Sequence, residues 1–296
     1  MNPVRRSASR LLSLPDQALG ALLAGVGVFV LSPDSLLIRW IELDLWTLMF
    51  LRGLFMGLTL LLLNALLRRG RPLSGLFRLD RYAWAFALLM TVSSMFFVAS
   101  IQTTSIAHTL IIVGSTPVVS ALLGWLILRE PVHPGTRWTI AVVVVGLGFV
   151  VYDDSRSSLI GDLYAAIACL LWSGNFILMR QTRTPSHLSM MTVSGFVMAL
   201  AVLPLSQLGG IEGWQWALGG FSGLLVGIAF WMISLAPRYI PAAEVAVFMP
   251  LESVFGSLLA WWLLDEYPGW ISVLAGSVII LAIMLNSYFQ IRKTST

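Results

Sequence analysis

The stretch SIAHTLIIVGSTPVVSALLGWLILRE at residues 105–130 returns later in the chain as PAAEVAVFMPLESVFGSLLAWWLLDE at residues 241–266. The two stretches align without a gap, so that Glu130 falls on Glu266. Each contains an apolar run of about 20 residues, the length that a helix needs to cross the hydrocarbon layer of a bilayer. The pair indicates that the chain contains two copies of one helical unit.

The repeat extends upstream of these stretches. Residues 20–40, GALLAGVGVFVLSPDSLLIRW, align with residues 161–181, GDLYAAIACLLWSGNFILMRQ, and Arg39 falls on Arg180. Weak internal symmetry in a hydrophobic chain is typical of membrane carriers that place a substrate site between two repeats. The repeat therefore predicts both a fold and the position of a binding site.

The composition is that of a membrane protein. The 296 residues are 58% hydrophobic and only 11% charged, whereas a soluble domain carries roughly 25% charged residues. Unsatisfied backbone groups are too costly in lipid, so apolar runs of this length must be helical. We predict an all-α membrane protein with ten transmembrane helices. The ten runs cover residues 18–38, 45–67, 82–101, 105–128, 134–152, 160–180, 187–207, 214–236, 241–264 and 268–289.

The ten predicted helices divide into two repeats of five. Because five is odd, the second repeat must enter the membrane from the opposite side, which gives two inverted repeats. We predict an N-terminal tail at residues 1–16, a first repeat at 17–152, a second repeat at 153–290 and a C-terminal tail at 291–296.

The charge distribution predicts the orientation. Most of the 18 Lys and Arg residues fall in loops on the side of the N-terminus, and the opposite loops are acidic. Basic loops stay in the cytoplasm, so both termini are predicted to be cytoplasmic. The net charge of +4 is then a signal of topology and does not indicate nucleic-acid binding.

Three runs carry a resemblance to a known family. They are TLMFLRGLFMG (47–57), STPVVSALLGWLILREPV (115–132) and LESVFGSLLAWWLLDE (251–266). The chain resembles the drug/metabolite transporter superfamily, in particular its ten-helix EamA-type branch, over residues 18–289. The resemblance implies a carrier of the bacterial inner membrane, most often an exporter of amino acids, other metabolites or toxic small molecules.

The resemblance also points to a proline that is followed thirteen residues later by a glutamate, once in each repeat. The first copy here is Pro117 to Glu130. In the second copy the glutamate is Glu266 and Ser253 stands where the proline is usual, with Pro250 three residues earlier as an alternative origin of a kink. Kinks at matching places in two repeats indicate a binding site, and we expect kinks in the first, fourth, sixth and ninth helices.

Asp34 and Arg52 are the first charged candidates for this site. A charge at the centre of a membrane costs at least about 2.5–3.5 kcal/mol, so each one needs a physical reason. The second helix of the resembling family carries an arginine, here Arg52. Asp34 and Arg52 lie at similar predicted depths. They can form a static ion pair, Arg52 can bind a substrate carboxylate, or Arg52 can extend to the membrane surface.

Glu252, beside Pro250 in the ninth helix, is the second candidate. An intramembrane carboxylate can bind and release a proton or hold a cationic substrate, and it can also serve as a hydrogen-bonded contact between helices. Its partner in the repeat alignment is Thr116. Glu244 and His108 are likewise repeat partners, and we consider both for proton coupling or gating.

Three further residues complete the predicted substrate site. Asn175 is the repeat partner of Asp34, and Trp172 and Trp231 fall deep within predicted helices, where they line a cavity or simply pack. The full set of predicted substrate-binding residues is Glu252, Asn175, Thr116, Arg52, Trp172, Asp34 and Trp231.

The sequence carries no signature of an enzyme. We find no phosphate-binding loop, no His/Cys cluster at metal-ligand spacing and no nucleophile elbow, so we expect no cofactor and no metal. The predicted function is a secondary active exporter or exchanger of amino acids or similar metabolites, with the proton considered as a coupling ion. The alternatives are an exporter of hydrophobic cations, which predicts Arg52 sequestered by Asp34, and a lipid flippase or non-transporting scaffold. The oligomeric state is left open.

Overall fold

The computed structural model describes residues 16–67, 80–129, 134–152, 158–181, 187–236, 239 and 248–294. All regular elements within these ranges are helical. The α-helices are α1 (Asp16–Leu31), α2 (Asp34–Trp40), α3 (Leu45–Leu67), α4 (Arg81–Thr103), α5 (Ile106–Gly114), α6 (Thr116–Leu128), α7 (Pro134–Tyr152), α8 (Leu159–Gln181), α9 (His187–Val202), α10 (Gly213–Leu235), α11 (Leu251–Leu264) and α12 (Trp270–Thr294).

Six helical segments in the described part of the chain are long and apolar enough to cross a membrane. They are Ala18–Trp40, Leu45–Leu66, Arg81–Thr103, Ile106–Ile127, Leu188–Leu205 and Gly213–Leu235. Four apolar helices are shorter, namely Arg137–Phe149, Leu159–Asn175, Leu251–Leu264 and Trp270–Asn286. The described part of the chain is therefore all-helical, and the protein is a multi-pass membrane protein.

Three predicted spans are interrupted. The first breaks between α1 and α2 at Ser32 and Pro33, and the fourth breaks at Ser115 between α5 and α6. In the ninth, Met249 and Pro250 form a turn immediately before α11 begins. Proline lacks the amide hydrogen of a helical residue and disrupts the preceding turn, so Pro250 supplies the break that the resemblance placed near Ser253.

The sixth predicted span differs from our expectation. Helix α8 continues without a break from Leu159 to Gln181, straight through Gly174 and Asn175. Glycine is tolerated inside a helix at a cost of about 1 kcal/mol relative to alanine, and unlike proline it keeps its amide hydrogen. The position that aligns with Pro33 therefore remains regular.

Helices α3 and α9 cross in opposite directions. At the start of α3, the Gln207 amide beyond α9 donates a hydrogen bond to Thr47 Oγ1 at 2.9 Å. Later in α3, Gly57 lies beside Gly195, which is earlier in α9. A Cβ atom added to Gly53 would lie 2.8 Å from the Gly195 carbonyl oxygen. Glycines allow this close approach of two backbones.

Helices α5 and α11 are also antiparallel. The amide of Ile106, at the start of α5, donates a hydrogen bond at 3.2 Å to Oε2 of Glu266, which lies beyond the end of α11. At the other end of α5, a Cβ atom on Gly114 would contact Ser253 Oγ in the first turn of α11. The fourth predicted span therefore runs against the ninth, as the second runs against the seventh.

Further helix contacts come in pairs that are equivalent in the two predicted repeats, where each span of the first repeat corresponds to the span five later in the second. Helix α4 packs along α8, and α10 packs on α1. Helix α3 packs on α10, and α9 packs on α4. The fifth span, α7, packs on the tenth, α12.

The two ends of the bundle differ in charge. At the end where α2 stops and α3 starts, called the acidic end here, the exposed ionisable residues include Glu42, Asp44, Glu212 and Asp265. At the opposite, basic end the exposed side chains include Arg81, Arg129 and Arg137.

The acidic end is closed by packing and by hydrogen bonds. Gln102 Nε2 donates to the Leu43 carbonyl and Gln215 Nε2 donates to the Ile41 carbonyl, each at 3.0 Å. The largest buried cluster fills the same end of the bundle. It consists of Leu37, Ile38, Ile41, Leu48, Met49, Phe97, Val98, Ile101, Ile106, Leu110, Ala168, Met198, Val202 and Ala260.

Candidate functional site

Asp34, Arg52 and Ser222 form a buried polar triad between α2, α3 and α10. Both terminal nitrogens of Arg52 donate to the Asp34 carboxylate, Nη1 to Oδ1 and Nη2 to Oδ2, the latter at 2.7 Å. Ser222 Oγ donates to Asp34 Oδ1 at 2.8 Å and accepts from Arg52 Nη1 at 2.8 Å. Asp34 is 3% exposed and Arg52 is 6% exposed.

This geometry bears on each of the three roles considered for Arg52. The side chain does not extend to the surface, because it is buried against Asp34. The two-pronged contact is the arrangement in which arginine and a carboxylate bind most strongly. Of the guanidinium nitrogens, only Nε has no hydrogen-bond partner. Arg52 therefore has little remaining capacity to bind a substrate carboxylate.

Glu252 lies next to this triad. It occupies the first turn of α11, directly after the Pro250 turn, and its side chain is partly exposed. Asp34 and Arg52 are the charged groups that act electrostatically on its carboxylate. In the described part of the chain, the Glu252 carboxylate has no hydrogen-bond partner. The sequence-predicted residues Asp34, Arg52 and Glu252 thus converge on one place, and Glu252 is the member left without a partner.

Ser253, at the position where the resemblance places a proline, connects α11 to α5. Its hydroxyl donates to the Leu110 carbonyl in α5 at 2.5 Å. Gly114, one turn further along α5, leaves room for the serine, because a Cβ atom there would lie 2.5 Å from Ser253 Oγ. The serine therefore joins the fourth and ninth spans beside Glu252.

Thr116 lies at the break of the fourth span. Its hydroxyl donates to the Val113 carbonyl at 2.5 Å and lies 3.5 Å from Cys169 Sγ in α8. Thr116 is the first residue of α6, where backbone amides have no partner within the helix. The Thr116 side chain is thus engaged locally, at the start of a half-helix.

Asn175 and the two tryptophans occupy different environments. Asn175 is buried, its Nδ2 contacts Met90 Sδ at 3.9 Å, and its Oδ1 has no hydrogen-bond partner among the described residues. Trp172 packs against Phe97 with ring centroids 5.0 Å apart, which is a packing contact. Trp231 is partly buried, and within the described part of the chain its indole nitrogen has no hydrogen-bond partner. Asn175 and Trp231 therefore keep polar atoms available, while Trp172 contributes to the core.

A second polar group surrounds His108 near the acidic end. His108 Nδ1 lies 3.3 Å from Asp162 Oδ1 and 3.4 Å from Oδ2, and Nε2 lies 3.3 Å from Ser272 Oγ. Thr104 Oγ1 donates to Asp162 Oδ1 at 3.0 Å. Of the two repeat partners considered for gating, His108 is thus placed in a polar network, and Glu244 lies outside the described residues.

An ion pair continues this group towards the surface. Arg39 Nη1 lies 3.3 Å from Glu266 Oε1, and Arg39 Nη2 donates to the Thr104 carbonyl at 2.5 Å. Glu266 also accepts from the Ile106 amide. The glutamate of the second repeat motif therefore joins the ends of three spans, and its counterpart Glu130 lies outside the described residues.

Sequence reasoning missed Ser222 and Asp162. Ser222 carries no charge, and its contact with Asp34 spans 188 residues, so no local pattern indicates it. Asp162 was detectable, because it is an ionisable residue in the first turn of an apolar helix and its repeat partner, Ala21, is apolar. No group of three or more His, Cys, Asp or Glu side chains that could hold a metal ion occurs among the described residues.

Comparisons with known proteins agree with this architecture. The pattern of the EamA-like transporter family matches residues 18–152 and again residues 159–288. An uncharacterized transporter of Methanothermobacter thermautotrophicus is 26% identical over 239 residues, which are 75% of this chain and 69% of that protein. A protein of known crystal structure matches with a TM-score of 0.67 at 16% identity, over 94% of this chain and 99% of its own. The chain therefore belongs to the EamA-like transporter family, within the drug/metabolite transporter superfamily, and is a membrane transporter.

Proposed function

We propose that the protein is a secondary active exporter of small organic solutes that carry a positively charged group, and that Glu252 holds this group. In this proposal the chain crosses the membrane ten times as two inverted five-helix repeats, residues 17–152 and 153–290. The substrate site lies between the repeats and is exposed to one side at a time. Transport is driven by an ion gradient or by exchange.

The antiparallel helix pairs support the inverted arrangement. The second and seventh spans, represented by α3 and α9, occupy equivalent places in the two repeats and cross in opposite directions. The fourth and ninth spans do the same through α5 and α11. Two repeats of parallel orientation would place equivalent helices side by side in the same direction.

The proposed substrate class rests on one observation, the engagement of Arg52 with Asp34 and Ser222. Both of its terminal nitrogens are engaged with Asp34, and Nη1 also donates to Ser222, so a substrate carboxylate would have to break a buried ion pair to bind there. Two carboxylates, Asp34 and Glu252, lie within electrostatic range of this one guanidinium, and Asp34 is the one in contact with it. When Asp34 and Glu252 are both ionised, they and Arg52 together carry one net negative charge. That charge resides on the unpartnered Glu252. A cation compensates that charge, whereas a substrate carboxylate would add to it.

The result favours the second of the substrate classes considered from the sequence. Sequestration of Arg52 by Asp34 is the arrangement expected of an exporter of organic cations. An amino acid could still place its ammonium group against Glu252, but its carboxylate would find Arg52 already engaged. We therefore rank amines and quaternary cations above amino acids.

Orientation follows from charge in this proposal. The basic end faces the cytoplasm of a bacterium, the acidic end faces outward, and both termini are cytoplasmic, because basic residues are retained on the inner side. Exposed Arg81, Arg129 and Arg137 at one end and exposed Glu42 and Asp265 at the other support this assignment.

Transport by proteoliposomes tests the proposal. Radiolabelled tetraethylammonium, cadaverine, leucine and succinate are to be compared as substrates for the wild type, Glu252→Gln and the control Glu42→Gln. Glu42 is an exposed carboxylate at the acidic end, outside the triad. We expect transport of a cation by the wild type and by Glu42→Gln, and a loss of about tenfold or more in Glu252→Gln, as for a lost charge-assisted contact. Wild-type cation flux in Glu252→Gln, or flux of succinate alone, would overturn the proposal.

A further inference from the structure

We infer that His108 and Asp162 form a proton-binding site, separate from Glu252, and that the bound proton holds the acidic end of the transporter closed. The role of this proton-binding site in the transport cycle rests on the proposed alternating access. Proton binding and closure themselves are measurable without any substrate.

The geometry is that of a buried imidazole in contact with a buried carboxylate. The imidazole of His108 is 0% exposed and the Asp162 residue is 5% exposed. Both carboxylate oxygens of Asp162 lie within 3.4 Å of Nδ1. Imidazole is the side chain that changes its charge near neutral pH. Protonation of His108 converts a contact between a neutral ring and a carboxylate into an ion pair.

The surroundings leave Asp162 dependent on that proton. Among the described residues, the hydrogen-bond partners of the pair include Ser272 from α12, beside His108, and Thr104 from the link between α4 and α5, beside Asp162. The nearest cation in the network, Arg39, is already engaged with Glu266 and with the Thr104 carbonyl. Among the described residues, His108 is the only hydrogen-bond partner of Asp162 that can carry a positive charge. A charge-assisted hydrogen bond is roughly twice as strong as a neutral one.

The same pair connects the two predicted repeats. His108 belongs to α5 of the first repeat, whereas Asp162 and Ser272 belong to α8 and α12 of the second. Arg39 and Glu266 make a parallel connection nearby, from α2 to the end of α11. Opening of the acidic end requires the repeats to separate here. A proton on His108 therefore stabilises the closed state, and its loss at higher pH favours opening.

The sign of the effect follows from the charges. Below the pH at which His108 loses its proton, the imidazolium and the Asp162 carboxylate attract each other across the boundary between the repeats. Above that pH, Asp162 retains one negative charge with Thr104 Oγ1 and the neutral ring as its partners. Closure is favoured at acid pH and weakened at alkaline pH, as linkage between protonation and conformation requires.

Accessibility of a buried cysteine tests the inference. Ala260 is 1% exposed in the closed cluster at the acidic end, so Ala260→Cys in a Cys169→Ser background reports opening. Gly210→Cys serves as the reference, because Gly210 lies in open space with no atom within 4 Å of an added Cβ. The ratio of the two labelling rates with a water-soluble maleimide cancels the intrinsic pH dependence of thiol reactivity.

We expect this ratio to rise about tenfold between pH 5.5 and pH 8 in the wild type. A change of about tenfold corresponds to the extra strength of a hydrogen bond to a charged group over one between neutral groups. His108→Gln and Asp162→Asn should each remove the pH dependence. His187→Gln should behave as the wild type. Because the labelling assay contains no substrate, its outcome is separate from that of the substrate test. A flat wild-type ratio, or a wild-type rise in His108→Gln, would contradict the inference.

Ser272→Ala provides a milder variant in case the two substitutions prevent folding. It removes only the hydroxyl beside Nε2 and leaves the His108–Asp162 contact in place. We expect the pH of half-maximal opening to shift while the amplitude of the rise is retained. In ¹⁵N-histidine spectra the same midpoint should appear in one of the 3 histidine signals. A midpoint unmoved in both measurements would also contradict the inference.

Discussion

Breaking the ion pair between Asp34 and Arg52 should cost more than removing both of its members. In Asp34→Asn, the positive charge of Arg52 remains buried without a counter-charge. In Arg52→Met, the negative charge of Asp34 remains buried without a counter-charge. Loss of one partner of a buried pair typically costs about 3–5 kcal/mol, whereas replacement of both by groups of similar size is often nearly neutral. We therefore predict that the double variant is more stable than either single variant.

The magnitude follows from the contacts that each change removes. Asp34 accepts three hydrogen bonds, two from Arg52 and one from Ser222. The side-chain amide introduced by Asp34→Asn can still accept from Ser222, so the loss in this variant falls mainly on Arg52. Because each single variant should lose about 3–5 kcal/mol and the double variant less than either, the coupling free energy from the double-mutant cycle should be at least about 3 kcal/mol, at or above the upper end of the range found for residues in contact.

Reversible unfolding of the purified protein in mixed micelles of detergent and dodecyl sulfate provides the four free energies of unfolding. Glu42→Gln, an exposed carboxylate at the acidic end, is the control for loss of a carboxylate outside the triad. Additive free energies in the cycle would show that Asp34 and Arg52 do not act as a pair. In that case Arg52 would be free to bind substrate, and the argument for a cationic substrate would fail.

Two smaller changes should be detectable in the same unfolding measurement. Gly53→Ala places a Cβ atom 2.8 Å from backbone atoms of α9 and should destabilise the protein by about 1–3 kcal/mol. The control Gly148→Ala, where nothing lies within 4 Å of the added Cβ atom, should be neutral or stabilising. Equal effects of the two substitutions would refute the close crossing of α3 and α9. Ser253→Ala removes the hydrogen bond to Leu110 and should lower the free energy of unfolding by about 0.5–1.5 kcal/mol. The control Ser257→Ala removes a hydroxyl that has no partner among the described residues and should leave the free energy of unfolding unchanged. A larger loss of stability for Ser257→Ala would contradict the assigned contact.

The breaks in the first, fourth and ninth spans were predictable because proline acts locally. Pro33, Pro117 and Pro250 each mark a break within a residue or two. The same reasoning erred for the sixth span, because sequence symmetry was taken to imply equal backbone geometry. Gly174 aligns with Pro33 but retains an amide hydrogen, so α8 stays regular there.

The candidate site was predictable only in part. Charges buried in a membrane are rare and costly, so Asp34, Arg52 and Glu252 could be selected from the sequence, and similar depth indicated that the first two would pair. Which partners complete the site depends on how distant helices pack. Ser222 and Asp162 are brought to Asp34 and His108 by contacts that no local pattern encodes.

The central claim is that equivalent helices of the two halves enter the membrane from opposite sides. Single cysteines in a Cys169→Ser background test it, at the exposed positions Arg81 and Gly213, which begin α4 and α10. These helices are the third spans of the two halves.

The measurement is labelling of intact cells with a maleimide that does not cross the membrane, before and after permeabilisation. We expect Gly213→Cys to be labelled in intact cells and Arg81→Cys to be labelled only after permeabilisation. Labelling of both positions from the same side would contradict the inverted arrangement, and with it the shared site at Glu252.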